Sequence, residues 1–217
     1  MPVTLPARAL LLDMDGTLVD SGTAVERCWR RWAAEHGIDG DEAMRVVHGR
    51  QGHLSMAILL PERPMEQNLA DNRRMLAEEI ADLDGVVEVP GAAVFLAAIA
   101  RLPHALVTSA PAELARTRMA AAGLELPAVR VTAESVGASK PDPEGFLKGA
   151  AELGADPADC VVFEDSEAGI AAGLAAGMRV VGVGPHAAAF GPTVQVDTLE
   201  QVRVVPDADG GLVLEIG

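Results

Sequence analysis

The sequence predicts an α/β fold in which a parallel sheet forms the core and an all-helical subdomain is inserted after the first strand. The sheet is predicted because short apolar runs alternate with helical patterns of about 10–15 residues from Gly85 onward. Between 18 and 84, apolar residues recur at helical spacing and no convincing strand is present. We therefore expect a core made of 1–17 and 85–217 and a helical subdomain at 18–84.

The individual elements follow from these patterns in chain order. The apolar run 9–12 stops at the turn signal Asp15-Gly16-Thr17 and reads as a buried strand. Later strands are expected at 105–107, 129–131, 160–163 and 180–183. Helices are expected around Val25, Cys28, Trp29 and Trp32, and then at 42–48, 54–60, 64–81, 92–99, 112–122, 143–152 and 168–176. The tail pairs 202–205 with 212–216 across Asp209-Gly210-Gly211, which is a hairpin signal.

Composition excludes several classes of protein. The chain of 217 residues has 17 Lys and Arg against 32 Asp and Glu, a formal net charge of −15. This acidity argues against nucleic acid or an anionic membrane as partner. No apolar run approaches the roughly 20 residues of a spanning helix, and no secretory signal is evident. Cys28 and Cys160 make no disulfide framework. We expect a cytoplasmic protein, a monomer or a weak homodimer.

Carboxylates stand where two of the predicted strands end, at the edge where ligands of parallel sheets bind. Asp13 and Asp15 follow the first strand, and Glu164 and Asp165 follow the strand at 160–163. Two carboxylates two residues apart share a face of an extended chain, where their repulsion requires a cation or a proton. Since hard oxygen ligands suit Mg²⁺, the pattern predicts a magnesium site.

Hydroxyls and one lysine complete the set at this edge. Thr108 and Ser109 follow the strand at 105–107, and Lys140 opens the run Lys140-Pro141-Asp142-Pro143. Thr108 is favoured as the hydroxyl ligand because it follows the strand directly, with Ser109 contributing its amide. A divalent cation with Lys140 and Thr108 suits a phosphoryl group, and an aspartate is a competent nucleophile towards phosphorus. The second aspartate serves as general acid and base.

In their order along the chain, these groups resemble the four motifs of the haloacid dehalogenase-like (HAD) phosphatases. The motifs are Asp13-Met14-Asp15-Gly16-Thr17, Thr108, Lys140-Pro141 and Glu164-Asp165. The resemblance covers essentially the whole chain and implies a Rossmann-like parallel sheet core with a helical cap over the site. It implies Asp13 as nucleophile and Asp15 as general acid and base. It also implies Mg²⁺ bound by the Asp13 carboxylate, the Asp15 backbone carbonyl and Asp165, with Glu164 assisting.

Further stretches are similar to the sugar- and polyol-phosphate phosphatases of this family, the glycerol-phosphate and 2-deoxyglucose-6-phosphate type. They are Val47-His48-Gly49-Arg50, Glu88-Val89-Pro90-Gly91, 143–149 and 162–170, together with the tail hairpin. The similarity implies a small phosphorylated metabolite as substrate, with Arg50 and His48 facing it from the cap. The presence of Asp15 favours phosphate esters, because dehalogenases and phosphonate hydrolases of this fold lack that residue.

Two other functions remain open on the sequence. A sugar phosphomutase of the β-phosphoglucomutase type uses the same pair, Asp13 and Asp15, but returns the phosphoryl group to the sugar. A non-catalytic phosphate-ligand-binding module on this fold is the third reading. The intact set of Asp13, Asp15, Lys140 and Asp165 argues against that module, because a degenerate site usually loses one of these residues.

Overall fold

The computed structural model describes residues 3–207 and 211–217 of the chain. The strands are β1 (Val3–Ala7), β2 (Ala9–Leu12), β3 (Val19–Asp20), β4 (Val87–Glu88), β5 (His104–Val107), β6 (Val129–Val131), β7 (Cys160–Glu164), β8 (Arg179–Val183), β9 (Val194–Val196), β10 (Val202–Pro206) and β11 (Leu212–Ile216). The α-helices are α1 (Gly22–Glu35), α2 (Gly40–Met44), α3 (Gly52–Leu59), α4 (Met65–Ala81), α5 (Ala92–Ile99), α6 (Ala112–Ala121), α7 (Glu144–Glu152) and α8 (Glu167–Ala175). Short 3₁₀ turns lie at Ala133–Ser135, Pro157–Asp159, Ala187–Phe190 and Leu199–Gln201.

A six-stranded parallel sheet forms the core, in the order β6-β5-β2-β7-β8-β9. The chain runs from β2 outward through β5 and β6, and returns to the other side of β2 for β7, β8 and β9. The strand order therefore reverses at β2, which makes its carboxyl end the switch point of the sheet. The α/β class and the parallel sheet predicted from the sequence are confirmed.

Strand β2 is buried on both faces, which explains its uninterrupted apolar sequence. Leu10 and Leu12 pack into one hydrophobic cluster with Phe95 and Phe163, whose rings lie 4.9 Å apart. Alternate residues of a strand face opposite layers, so Leu11 packs into a second cluster on the other side. Strands β5, β7 and β8 carry a similar buried run, which explains why the sequence predicts them.

Helices α1 to α4 lie between β3 and β4 and share a separate hydrophobic cluster. Its aromatic centre is Trp29 and Trp32, which meet edge to face with ring centroids 5.5 Å apart. The sequence predicts no strand between 18 and 84, and this is wrong in detail: β3 pairs antiparallel with β4. Two-residue strands carry no periodic signal, so only the tertiary fold reveals this ribbon.

A second, antiparallel sheet has the order β1-β11-β10. The two hairpin strands predicted in the tail are confirmed, whereas Asp209 and Gly210 of the predicted turn lie outside the described residues. No strand was expected at β1, which contains Pro6. Because β1 is an edge strand of its sheet, a proline is tolerated there.

Most predicted helices agree with the structure to within about two residues, the usual uncertainty of helix ends. The exception is the helix expected at 42–48, which is α2 at Gly40–Met44. It begins earlier because the Asp39 side chain caps its first turn by accepting hydrogen bonds from Asp41 N and Glu42 N. Among the described residues, no helix has the length and apolar character needed to cross a membrane.

Candidate active site

Lys140 joins the carboxyl ends of three neighbouring strands in the centre of the sheet. Its ammonium donates to Asp13 Oδ1 at 2.5 Å, to Glu164 Oε1 at 2.6 Å and to the Val107 carbonyl at 3.0 Å. Burial alone favours a neutral amine, but the carboxylates of Asp13 and Glu164 outweigh it and raise the pKa of Lys140 above its ordinary value. Lys140 is therefore a permanent positive charge beside Asp13.

Three carboxylates surround this lysine. Asp13, Glu164 and Asp165 each offer an oxygen, and these oxygens lie within 4.8 Å of one another. Burial and repulsion from Glu164 raise the pKa of Asp13 to about 8, and the same two causes raise the pKa of Asp165 well above its ordinary value. One ammonium cannot balance three carboxylates, so this hard-oxygen set fits a divalent cation such as Mg²⁺.

Both carboxylate oxygens of Glu164 accept hydrogen bonds, and the donor to Oε1 is Lys140. Its second oxygen, Oε2, accepts from the Ser166 backbone N–H and from Ser166 Oγ, both at 2.9 Å. The side chain lies against Gly169, where a Cβ would be 1.7 Å from Glu164 Oε1. With both oxygens hydrogen-bonded, Glu164 is placed to orient the lysine and to contribute charge behind Asp13.

Asp15 lies near Asp13, just beyond the carboxyl end of β2. Asp15 Oδ1 accepts hydrogen bonds from Ser21 Oγ at 2.7 Å and from Arg118 Nη1 at 2.9 Å. The Asp15 side chain is 30% exposed. The chain can turn here because Gly16 has a φ of +84°, and a Cβ on Gly16 would collide with the Asp165 carboxylate. An oriented, solvent-accessible carboxylate suits proton transfer.

A cavity of about 380 Å³ opens over these residues, between the sheet edge and the inserted helices. The predicted site residues that line it are Asp13, Asp15, His48, Arg50, Thr108, Ser109 and Asp165. Lys140 and Glu164 lie behind Asp13 and are absent from the described lining of this cavity. The structure thus brings together residues from β2, β5, β7 and the helical insertion around one space that suits a small ligand.

Thr108 and Ser109 differ in how their hydroxyls are used. Thr108 Oγ1 accepts from the Ala110 backbone N–H at 3.0 Å, which leaves its proton available to a ligand. Ser109 Oγ donates to the Gly49 carbonyl at 2.9 Å and so ties the sheet edge to the inserted segment. This difference supports Thr108 as the hydroxyl that would contact a bound anion.

His48 and Arg50 reach the cavity from a loop of the insertion that docks on the core. Gln51 N–H donates to Ser139 Oγ at 3.2 Å, and Gln51 Nε2 donates to the Ala133 carbonyl at 3.3 Å. The protein around the imidazole lowers the pKa of His48 by desolvation, with Asp15 acting in the opposite direction. His48 is therefore a neutral hydrogen-bonding group near neutral pH.

The sequence reasoning missed Arg118, Glu79 and Ser21. Arg118 is 3% exposed, and its Nη2 lies 3.6 Å from Glu79 Oε1. A signal existed for the first two: Arg118 follows Leu114 by four residues and precedes Met119, so helical spacing places it on the buried face of α6. Glu79 follows the buried Met75 in the same way on α4. Charges on buried helix faces often mark functional sites.

Comparison with known proteins shows the family to which the chain belongs. Residues 7–177 match the model of the haloacid dehalogenase-like hydrolases. Hexitol phosphatase A of Escherichia coli K12 is 39% identical over 215 residues, which cover 96% of this chain and 99% of that protein. Glycerol-1-phosphate phosphohydrolase 2 of Saccharomyces cerevisiae is 33% identical over 193 residues, covering 84% of this chain and 76% of that protein.

A solved structure agrees at the level of the fold. β-Phosphoglucomutase from Clostridium difficile superposes with a TM-score of 0.80 at 22% identity, covering 91% of this chain and 93% of that one. The chain thus belongs to the haloacid dehalogenase-like hydrolase family, as its motifs predict. Within that family it is a phosphoric monoester hydrolase, the class to which hexitol phosphatase A and glycerol-1-phosphate phosphohydrolase 2 belong.

Proposed function

We propose that this enzyme hydrolyses a small sugar or polyol phosphate monoester, in a Mg²⁺-dependent reaction through an aspartyl-phosphate on Asp13. The observation that carries the proposal is the placement of Asp13: it is buried against Lys140 and lies on the floor of a cavity that Asp15 also lines. The names of the relatives, a hexitol phosphatase and a glycerol-1-phosphate phosphohydrolase, support the substrate class.

In the first half of the reaction, an oxygen of Asp13 forms a bond to phosphorus while the bond from phosphorus to the ester oxygen breaks. Asp15 gives its proton to the departing alkoxide, which leaves as the alcohol. In the second half, Asp15 takes a proton from water, whose oxygen attacks phosphorus and releases inorganic phosphate from Asp13. Asp15 is then protonated again and ready for the next cycle.

The remaining residues hold the phosphoryl group and neutralise charge. Thr108 and the backbone near Ser109 would donate to phosphoryl oxygens, while the charge of Lys140 offsets the negative charge around Asp13. Asp13, Asp165 and the Asp15 backbone carbonyl would hold Mg²⁺, with Glu164 assisting from behind. When bound, that ion supplies neutralisation of the phosphoryl oxygens.

Residues 18–84 are proposed to act as a cap that covers the substrate. The hydrogen bonds of Gln51 to the core and of Ser109 to Gly49 attach this segment at the rim of the cavity that Asp13 lines. Arg50 and His48 would then face the substrate from the cap. A covered site excludes bulk water during the first half of the reaction, which protects the transfer from Asp15 to the leaving alcohol.

The deciding experiment measures phosphate release with Mg²⁺ over hexitol phosphates, glycerol 1-phosphate, 2-deoxyglucose 6-phosphate, nucleotide phosphates and glycolate phosphate. We expect turnover of sugar and polyol phosphates, and loss of turnover in Asp13→Asn with the fold retained. Full activity of Asp13→Asn, or of the metal-stripped enzyme, would overturn the mechanism. Isomer formation without phosphate release would show a mutase of the β-phosphoglucomutase type, and tight binding without turnover would show a binding module.

A further inference from the structure

Glu79 and Arg118 are neighbours in the cavity wall, and within the described residues each has polar atoms without a hydrogen-bond partner. Arg118 gives Nη1 to Asp15, but its Nε and Nη2 have no hydrogen-bond partner within the described part of the chain. Glu79 is 7% exposed and lies 3.6 Å from Arg118 Nη2, beyond hydrogen-bond distance. Among described residues, no group donates a hydrogen bond to the Glu79 carboxylate.

Leaving these polar atoms without partners lowers the free energy of unfolding. A buried donor or acceptor left unsatisfied loses its hydration without compensation, and the cost is larger for charged groups. Burial raises the pKa of Glu79 to about 6, although Arg118 opposes this rise. Both side chains line the same cavity, so a bound molecule with one donor and one acceptor would satisfy both of them.

The position of the pair identifies the part of the substrate it can reach. The guanidinium that offers Nη2 also holds Asp15 through Nη1, and Asp15 must reach the ester oxygen in the proposed mechanism. Asp15 also contributes to the raised pKa of Glu79, so Glu79 lies close to the place of the ester oxygen and can meet substrate groups only a bond or two from the ester. Apolar side chains of Val25, Met75 and Leu114 line the same cavity and suit the C–H faces of a carbon chain.

Building on the proposed function, we propose that Glu79 and Arg118 bind a free hydroxyl on the carbon next to the one that bears the phosphate. Binding of this hydroxyl makes the enzyme selective for open-chain polyol phosphates. The hydroxyl donates to the Glu79 carboxylate and accepts from Arg118 Nη2. An aldopyranose 6-phosphate carries its ring oxygen at that carbon. A ring oxygen has no proton to donate, so it leaves Glu79 unsatisfied and the complex is weaker.

A purely structural ion pair between α4 and α6 is the competing interpretation. A structural pair would change stability when broken, but it would affect all substrates to the same degree. The two interpretations therefore differ in substrate selectivity, which a matched pair of substrates measures directly. Sorbitol 6-phosphate and glucose 6-phosphate differ at the carbon in question, and glycerol 1-phosphate and propane-1,3-diol monophosphate differ only by that hydroxyl.

The test compares kcat/KM within each pair for the wild-type enzyme and for Glu79→Gln and Glu79→Met. We expect the wild type to prefer the hydroxyl-bearing member by about tenfold or more, and both variants to reduce that preference. Glu78→Gln is the matched control, because Glu78 pairs with Arg31 in solvent and should leave the preference unchanged.

Binding of the same pairs to Asp13→Asn, with and without Glu79→Gln, is measured by calorimetry and gives a readout that does not depend on turnover. Equal kcat/KM and equal affinity within each pair, or a preference that survives in both Glu79 variants, would overturn the assignment and leave the proposed function standing. Failure of the wild type to release phosphate from any ester would overturn the proposed function, while a Glu79-dependent difference in affinity would still support the hydroxyl site.

Discussion

Arg118 and Asp15, which lie far apart in the sequence, are joined by a hydrogen bond of 2.9 Å from Nη1 to Oδ1. Ser21 Oγ donates to the same oxygen at 2.7 Å. Two donors on one oxygen fix the rotation of the carboxylate, so the other oxygen, Oδ2, has a defined direction. Helix α6 therefore orients the residue that the mechanism requires for proton transfer.

The first prediction concerns Asp15→Asn. This variant keeps the shape of the side chain but loses the proton donor for the leaving alcohol and the base for water. With a polyol phosphate, we expect steady-state phosphate release to fall by about 10²–10⁴-fold, the usual contribution of general acid–base catalysis. With p-nitrophenyl phosphate, whose leaving group departs without a proton, we expect a burst of nitrophenolate followed by slow hydrolysis of the aspartyl-phosphate on Asp13.

Rapid-quench measurements check this prediction. The burst amplitude should approach one equivalent per enzyme molecule in Asp15→Asn and should be absent in Asp13→Asn, which cannot form the intermediate. Equal losses of rate on both substrates, with no burst, would show that Asp15 has no separate role in the two halves of the reaction.

The second prediction concerns stability and Lys140, whose ammonium is buried between Asp13 and Glu164. Lys140→Met leaves two buried carboxylates without a counter-charge. Breaking a buried ion pair in this way costs about 3–5 kcal/mol. We expect a loss of this size in urea unfolding of the metal-free protein above about pH 8, and a smaller loss at lower pH, where Asp13 holds a proton.

Lys148→Met is the matched control for this experiment, since Lys148 lies on α7 and donates a hydrogen bond to the neutral Ser135 carbonyl. It should cost about 1 kcal/mol or less, the contribution of an ordinary hydrogen bond. A loss in Lys140→Met that does not vary with pH would mean that the carboxylates around Asp13 do not carry the effect.

The third prediction links Mg²⁺ binding to protons. In the metal-free protein, burial and Glu164 raise the pKa of Asp13 to about 8, so Asp13 is protonated near neutral pH. A metal ligand must be ionised, and binding therefore releases that proton. Because protons on Asp13 and Asp165 compete with the ion, apparent Mg²⁺ affinity should increase as pH rises through neutral.

Calorimetry in two buffers of different ionisation enthalpy measures the proton released. Asp13→Asn should bind more weakly and release fewer protons, and Asp165→Asn should also lose affinity. Mg²⁺ at 100 times its dissociation constant should raise the free energy of unfolding by about 2.7 kcal/mol. An affinity that is constant through neutral pH would contradict the raised pKa of these carboxyl groups, and unchanged affinity in Asp13→Asn would contradict Asp13 as a ligand.

The residues of the candidate active site show how much of that site the sequence can predict. Asp13 and Glu164 could be predicted because each comes directly after a buried apolar run, and Asp15 because it lies two residues after Asp13, so chain order alone places them at one sheet edge. Arg118 and Glu79 meet only because α4 packs on α6, and no local pattern encodes that contact.

The same distinction between local signals and tertiary contacts applies to the strands of the fold. The buried parallel strands have their own apolar signal, and the sequence predicts them within a residue or two. Strands β1, β3, β4 and β9 are short or lie at an edge, and their pairing depends on segments distant in the chain. Their existence is a consequence of tertiary structure, which propensity and periodicity do not record.

The fourth prediction concerns the pH dependence of stability and Glu79. Burial raises its pKa from the ordinary value of 4.5 to about 6, so the folded protein binds this proton more tightly than the unfolded chain does. Ionised Glu79 therefore destabilises the fold by about 2 kcal/mol above pH 6, and this penalty disappears as pH falls below 4.5. Because glutamine cannot ionise, the stability of Glu79→Gln relative to wild type should increase by that amount across this window in urea unfolding. Glu78→Gln, which removes a solvent-exposed pair with Arg31, should show a change below about 1 kcal/mol. A stability difference between Glu79→Gln and wild type that is flat from pH 4 to 7 would refute the prediction.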